Sequence, residues 1–365
     1  MRSSGLRKDT MALPLSVRRR SALTGSLLAL ALLATGCGAQ ASGDAQPAEE
    51  TGDSSADALL PPGEGQTSYP MTLTSPYGET VLEERPERVA IVGGLGELEA
   101  ALALGVQPVV TPWEEGDWEW LAGHPELGEA TTIDPWADTL EFESILAADP
   151  DLIVALTHNT ISDDYERLSS IAPVLTVTEE QEVTWEWTGV TQQLGEALDL
   201  STAGDELIAQ TEQYVTDAAA EHPEYADTEV SVLINRGTEA GIEFVNRTGS
   251  PAEALLTELG FAVHPNAGEF QADFGDVSPE NLAMVDADAL IIGQHGGAGT
   301  AEEAEAWLEA NELYQGLNAV QSESVGTIEP SPSGSLDIAW SFSYPNALDI
   351  PWTVDELNSA FDGLF

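Results

Sequence analysis

From about residue 86 onward, short apolar runs alternate with stretches whose apolar residues recur at helical spacing. Runs that are apolar at consecutive positions fit parallel strands covered on both faces, and the stretches between them fit amphipathic helices. One such unit is written twice. Residues 140–155 read Leu-Glu-Phe-Glu-Ser-Ile-Leu-Ala-Ala-Asp-Pro-Asp-Leu-Ile-Val-Ala, and residues 277–293 read Val-Ser-Pro-Glu-Asn-Leu-Ala-Met-Val-Asp-Ala-Asp-Ala-Leu-Ile-Ile-Gly. At a constant offset of 137, Glu143 falls on Glu280, Ile145 on Leu282, Asp149 on Asp286, Asp151 on Asp288 and Ile153 on Leu290. Each copy predicts a short helix, an Asp-x-Asp turn and a buried strand. Two copies are too few for a solenoid, so the pattern predicts an α/β fold built as two Rossmann-like lobes. A cleft between lobes is where a small ligand is expected.

Around this unit, residues 71–81 predict a hairpin with Gly78 in its turn, and residues 86–93, 106–110, 229–235 and 324–329 predict strands. Helices are expected over residues 97–104, 165–172, 252–259, 301–317 and 350–361. Residues 184–222 contain no proline and carry Leu194, Leu198, Leu207, Ile208 and Val215 at helical spacing. They predict one helix or two end to end, a stiff rod of ~50 Å joining the lobes. The expected boundaries are therefore 68–183 for the first lobe, 184–222 for the connecting helix and 223–365 for the second lobe.

The front of the chain follows another pattern. Arg18-Arg19-Arg20 precede an apolar run over residues 22–34, shorter than a membrane span, which ends in small residues. This describes an export signal over residues 1–36. Met11 is a second candidate start, and the arginines leave the general and twin-arginine routes both open. Cys37 is the only cysteine, which excludes a disulfide and a cysteine metal cluster. Leu33-Ala34-Thr35-Gly36-Cys37 resembles the lipobox of bacterial lipoproteins, which implies that Cys37 is acylated and becomes the mature N-terminus. Residues 37–67, rich in Gly, Ser, Ala, Asp, Glu and Pro, read as a disordered tether.

Charge narrows the function. Past the signal there are five arginines, no lysine and 63 acids, a formal charge of −58. Such a surface argues against nucleic acid and against direct adhesion to anionic lipid. The glycine-rich loops at 93–97 and 293–300 lack the dinucleotide and P-loop patterns, and Glu97 and Glu99 at the first would repel a pyrophosphate. Both loops are expected to face the cleft from the carboxyl ends of strands. The five histidines are scattered, with no closed metal site, and His295 alone remains a cleft candidate. No Gly-x-Ser-x-Gly elbow is present. No catalytic residue, cofactor or resident metal is therefore expected.

Aromatic residues say more. Trp113, Trp118, Trp120 and Trp136 fall in first-lobe loops and Trp340 and Tyr344 in a second-lobe loop. Each singly fits a core position, but as a set they predict the apolar walls of a site, with Trp113, Trp120, Trp340 and Tyr344 as ligand-binding candidates. Arg236 directly follows a second-lobe strand and Arg247 is expected at the matching edge of the same lobe, so that each could donate to ligand oxygens in a fork.

Pro-Glu-Arg-Val-Ala-Ile-Val at 86–92, Leu-Gly-Val-Gln-Pro at 104–108, Glu-Ser-Ile-Leu-Ala-Ala-Asp-Pro-Asp-Leu-Ile at 143–153, Tyr-Glu-Arg-Leu-Ser-Ser-Ile-Ala-Pro-Val at 165–174 and Ser-Pro-Glu-Asn-Leu at 278–282 resemble the iron-siderophore substrate-binding lipoproteins of ABC importers. That superfamily also holds vitamin B12 and haem binders, and the resemblance spans residues 68–365. It implies the class III substrate-binding-protein fold, two lobes joined by a single long backbone helix with the ligand in a shallow cleft. It adds Tyr165, which opens the stretch most specific to siderophores, to the ligand candidates. It also implies that Glu143 and Glu280 dock on arginines of an ABC permease working with its ATPase. The chain is expected to be a monomer, lipid-anchored through Cys37 at the extracellular face of the cell membrane. The chain departs from the resemblance in its scarcity of basic residues, which puts Arg-rich recognition of a strongly anionic ligand in doubt. A ferric hydroxamate is the expected ligand, with vitamin B12 or haem in the same carrier role as the alternative, and an exported hydrolase or sensor as a third reading.

Overall fold

The computed structural model describes residues 58–364 except 115, 135–136, 138, 158–160, 178–185, 271–275, 296–298 and 331–336. A hairpin of β1 (Met71–Ser75) and β2 (Gly78–Leu82) lies ahead of two five-stranded sheets. Its turn is Pro76-Tyr77, since Ser75 pairs with Gly78 and Gly78 opens the second strand rather than sitting in the turn. The first sheet holds β3 (Val89–Ile91), β4 (Val110–Thr111), β5 (Thr131–Thr132), β6 (Leu152–Val154) and β7 (Val174–Leu175) in the order β5-β4-β3-β6-β7, all parallel. The second holds β8 (Val230–Asn235), β9 (Ile242–Phe244), β10 (Asp276–Val277), β11 (Ala289–Gln294) and β12 (Val325–Ile328) in the order β10-β9-β8-β11-β12. Here β8, β11 and β12 are parallel, but β9 runs against β8 and β10 against β9. The central strands are buried at every position, as their unbroken apolar runs require.

The written repeat is a structural repeat. Asp151 accepts from the backbone N–H of Glu87 and Arg88, each at 2.8 Å, and returns its own N–H to Arg88 O at 2.9 Å, which locks β6 beside β3. Asp288, its counterpart, accepts from Glu229 N–H at 3.1 Å and donates to Glu229 O at 3.1 Å, which locks β11 beside β8. Ile145 and Leu282, equivalent positions, are both fully buried under their sheets. The copies diverge in the winding of their helices, an α-helix in the first and a 3-10 helix at Pro279–Val285 in the second, and in the turn that follows, where Asp149 is left-handed and Asp286 extended.

The helices are α1 (Leu95–Ala103), α2 (Phe142–Ala147), α3 (Ile161–Ser169), α4 (Trp187–Ala197), α5 (Ser201–Glu221), α6 (Gly237–Ala240), α7 (Pro251–Glu258), α8 (Ala301–Glu309), α9 (Glu312–Gln315), α10 (Asn318–Gln321), α11 (Asp337–Ser343) and α12 (Asp349–Phe361). The single helix expected over 301–317 is broken because Asn311 caps a new start, accepting from the N–H of Leu313 and Tyr314.

Residues 184–222 do not form one rod. The chain breaks at Asp199, whose φ of 56° is left-handed, and α4 folds back beside α5, so close that a Cβ on Gly204 would lie 3.5 Å from Thr191 O. Among the described residues the chain therefore passes from the first lobe to the second along α5. Its 21 residues span ~31 Å. Leu207 packs on the first-lobe core, whereas Val215 and Ala218 belong to the second.

The break is held by residues expected in the tether. Asp199 accepts from the N–H of Gly65, Gln66 and Thr67 at 2.7 to 2.8 Å, and these bonds hold its carboxyl below the usual carboxylate range. Glu64 reaches the start of α5 and accepts from the N–H of Thr202 and Ala203, an N-terminal cap supplied from far away in the sequence. Leu60 is buried in the first core. Residues 58–67 are thus a strap on the first lobe, not a tether.

Candidate ligand-binding site

The carboxyl ends of the parallel strands in both sheets are where a cleft was expected, and α1 builds one side of it. Glu97 is fully buried beneath the Gly93-Gly94 loop, and its carboxylate accepts from Gly94 N–H, from Thr157 N–H at 2.9 Å and from Thr157 Oγ1–H at 2.5 Å. Burial pushes its pKa up to about 7 against these bonds. The loop amides that would cradle a phosphate in a nucleotide fold are met by the chain's own side chain. This gives the rejection of nucleotide a structural cause.

Two residues on, Glu99 is buried at the junction of the lobes. It accepts from Trp120 Nε1–H at 2.9 Å in the first lobe and from the backbone N–H of Asp349, at the start of α12, at 3.3 Å. Asp349 is also buried, with Oδ1 accepting from Asn346 N–H at 2.6 Å and Oδ2 without a partner. Burial raises Glu99 to about 8, and burial together with Glu99 holds Asp349 well above its usual value.

Around this pair the tryptophans converge. Trp113 meets Trp118 edge-on at 5.4 Å, Trp118 stacks on Trp120 at 5.5 Å, and both reach the second lobe, Trp118 to Trp340 at 5.6 Å and Trp120 to Trp352 at 5.1 Å. Trp340 in turn meets Tyr344 at 4.9 Å. Trp118 and Trp120 are buried and so belong to the junction itself, whereas Trp113 and Trp340 are half-buried and Tyr344 is exposed. The described members of the set expected from the sequence, all but Trp136, thus form one cluster, with its accessible edge at Trp113, Trp340 and Tyr344. Trp352 was not legible as a member, because its place in the closing helix reads as ordinary core.

The second lobe contributes Arg236, directly after β8, and His295, directly after β11. Arg236 pairs with the buried Glu243 of β9 through Nε at 3.0 Å and Nη2 at 2.5 Å. Burial, and then the neighbouring Arg236, lower the pKa of His295. Beneath them Asn235 Nδ2 donates to Gln294 Oε1 at 2.9 Å, fully buried. Helix α11, which carries Trp340, comes to this end of the sheet over Gly293, where a Cβ would lie 2.8 Å from Ile338. A side chain there would push the helix away.

Two expected ligand residues lie elsewhere. Arg247 does not share an end with Arg236, because the antiparallel β9 carries the chain back along the sheet and Asn246 bonds across to Val230 O and Val232 N–H. Some five strand residues, or ~16 Å, separate the two arginines. Tyr165 packs on the hairpin, its ring 5.6 Å from Tyr77 and its hydroxyl 3.2 Å from Thr80 Oγ1. Glu143 and Glu280 are both exposed in the first turns of their helices. Two hollows, ≈ 410 Å³ beside Gln66 and Ser201 and ≈ 560 Å³ between Trp187, Val215 and Leu255, contain none of the expected ligand residues. Cys37, Trp136, and residues 296–298 of the second glycine loop lie outside the described residues. Among the described residues no cluster of His, Cys, Asp and Glu has the makings of a metal site, and no helix is long and apolar enough to cross a membrane.

The sequence profile of the periplasmic binding protein family matches residues 91–332. The chain belongs to that family. Solved structures of periplasmic binding proteins align with four-fifths of it. They include a solute-binding protein of Mycobacterium smegmatis (22% identity, TM-score 0.63, covering 80% of this chain and 98% of that one) and Staphylococcus aureus SirA complexed with staphyloferrin B (19%, 0.62, 80% and 98%). PiaA of Streptococcus pneumoniae in complex with ferrichrome also aligns (26%, 0.59, 80% and 98%). The two-lobed class III architecture of this family is the one expected and observed, and the family is one of solute binders rather than enzymes.

Proposed function

We propose that this periplasmic binding protein is an extracytoplasmic, lipid-anchored carrier that captures a ferric siderophore of the hydroxamate type and hands it to an ABC permease. The observation that carries the reading is the pairing, at the carboxyl ends of the sheets, of an accessible aromatic edge (Trp113, Trp340, Tyr344) with one arginine fork already neutralised by Glu243. An apolar wall with a few placed donors suits a bulky complex of low charge. The complexes with ferrichrome and staphyloferrin B in structurally similar proteins support an iron carrier. Vitamin B12 and haem would use the same aromatic edge, but nothing in the site favours them.

Tryptophan fluorescence tests the reading. A ferric trihydroxamate is expected to quench it with tight, saturable binding, and Arg236→Ala is expected to weaken that binding about tenfold or more, the loss of a charge-assisted fork. Saturable quenching by haem or cobalamin with none by ferric complexes would overturn the ligand assignment.

The anchor is assigned to Cys37, with the chain between it and residue 58 as the spacer. A single acyl chain holds a protein only marginally, and a diacylated cysteine holds it firmly. Cys37→Ala is expected to move the protein from the membrane fraction to the medium. Retention in the membrane fraction would disprove the anchor.

A further inference from the structure

We propose that Glu243 sets the charge class of the ligand, because it cancels the charge of Arg236 where that arginine faces the cleft. The inference rests on the carrier reading and goes beyond it in naming a positioning residue that touches no ligand.

Glu243 sits in β9, paired on one side with Ile234 and on the other with Asp276, and is 4% exposed. Its Oε2 takes both Nε–H and Nη2–H of Arg236. A buried carboxylate stripped of its cation is strongly unfavourable, so the pair stays closed when a ligand arrives. The guanidinium has five N–H donors in a rigid fork, Glu243 takes one at Nε and one at Nη2, and a quarter of the side chain is exposed. Arg236 therefore offers the ligand hydrogen bonds without net charge.

No other cation of the described residues makes up the difference. Arg85 is bound to Leu198 O and Pro61 O, and Arg88 to Asp149 O and Ala148 O. Arg167 lies 3.5 Å over the Phe142 ring, Arg247 leaves the sheet at its other end, and no lysine follows the signal. His295, half-buried beside Arg236, has its pKa lowered by burial and then by that arginine. The summed field of a protein with 64 acids and 11 basic residues then acts on the ligand unopposed. A neutral or cationic ferric trihydroxamate takes the donors of Arg236 and meets no barrier. A tricatecholate complex, with about three negative charges, takes the same donors against Glu243 and that field.

The test is a pair of titrations of the mature protein, with ferrichrome as the neutral trihydroxamate and ferric enterobactin as the trianionic tricatecholate. Wild type is expected to favour ferrichrome by about a hundredfold or more, and Glu243→Gln to narrow that ratio at least tenfold, chiefly by tightening the tricatecholate. A ratio unchanged in a folded Glu243→Gln protein overturns the proposal. Should that variant not fold, Arg236→Gln with Glu243→Gln leaves no buried charge. Both complexes should then weaken by the same factor, and selective loss of the tricatecholate would show that Arg236 acts as an uncompensated cation, which also overturns it. If wild type binds neither complex, the carrier reading itself falls and this inference with it, a result distinct from an unchanged ratio.

Discussion

Glu143→Arg combined with Glu280→Arg is expected to abolish cellular uptake of the ferric complex while leaving its affinity for the isolated protein unchanged. Both glutamates are exposed, each opens the helix of one copy of the repeat, and the aspartates that follow them clamp equivalent strand pairs. Two equivalent charges on two equivalent lobes are what a dimeric membrane partner with two-fold related arginines can read at once. Within the fold each carboxylate contributes only what a helix-start charge does, roughly 0.3 to 1 kcal/mol, so the double variant should remain folded. Uptake of iron-labelled ligand by cells, set beside a titration of the purified variant, gives the answer. Affinity lost together with uptake would assign the glutamates to folding instead.

The second large effect is on stability. Glu99 and Asp349 face each other across the lobe junction, buried, with no cation between them among the described residues. Glu99 has a folded pKa of about 8 against an ordinary 4.5, so the folded state holds its proton more tightly than the unfolded chain does. Its stabilising contribution is fully present below pH 4.5 and is lost as pH rises toward 8. At ~1.4 kcal/mol per pH unit of separation the whole loss is on the order of a few kcal/mol. Glu99→Gln cannot ionise, so its unfolding free energy should fall less than that of wild type between pH 5 and 9. Parallel profiles for the two proteins would mean that the pair is solvated. Because the pair bridges α1 and α12, the same titration should loosen one lobe against the other.

The repeat was the most legible feature, since a gapless match forces equivalent helix-turn-strand units, and the Asp151 and Asp288 clamps show why its aspartates are kept in register. Sequence periodicity could not show that α4 folds back on α5. The apolar positions of a helix pair and of a single rod obey the same spacing, and the break depends on one left-handed Asp199 held by a strap over a hundred residues away. The strap itself looked like tether because its apolar content is only Leu59-Leu60, while its backbone N–H groups carry the bonding. In the site, loop tryptophans were visible because large rings in loops need a reason. Glu243 was not, and Glu97 and Glu99 stood out only as charges beside a glycine loop, for in a chain this acidic a carboxylate is the commonest polar residue and its burial is not written in the sequence. The reach of Arg247 was misjudged because composition does not reveal that β9 runs antiparallel.

The most direct measurement is native mass spectrometry of the protein recovered from iron-starved culture. The account predicts a protein carrying a single bound ligand whose added mass and isotope pattern contain one ferric ion in an organic chelate of low net charge. Recovery of the protein loaded with cobalamin or haem, or with a strongly anionic chelate, would contradict it.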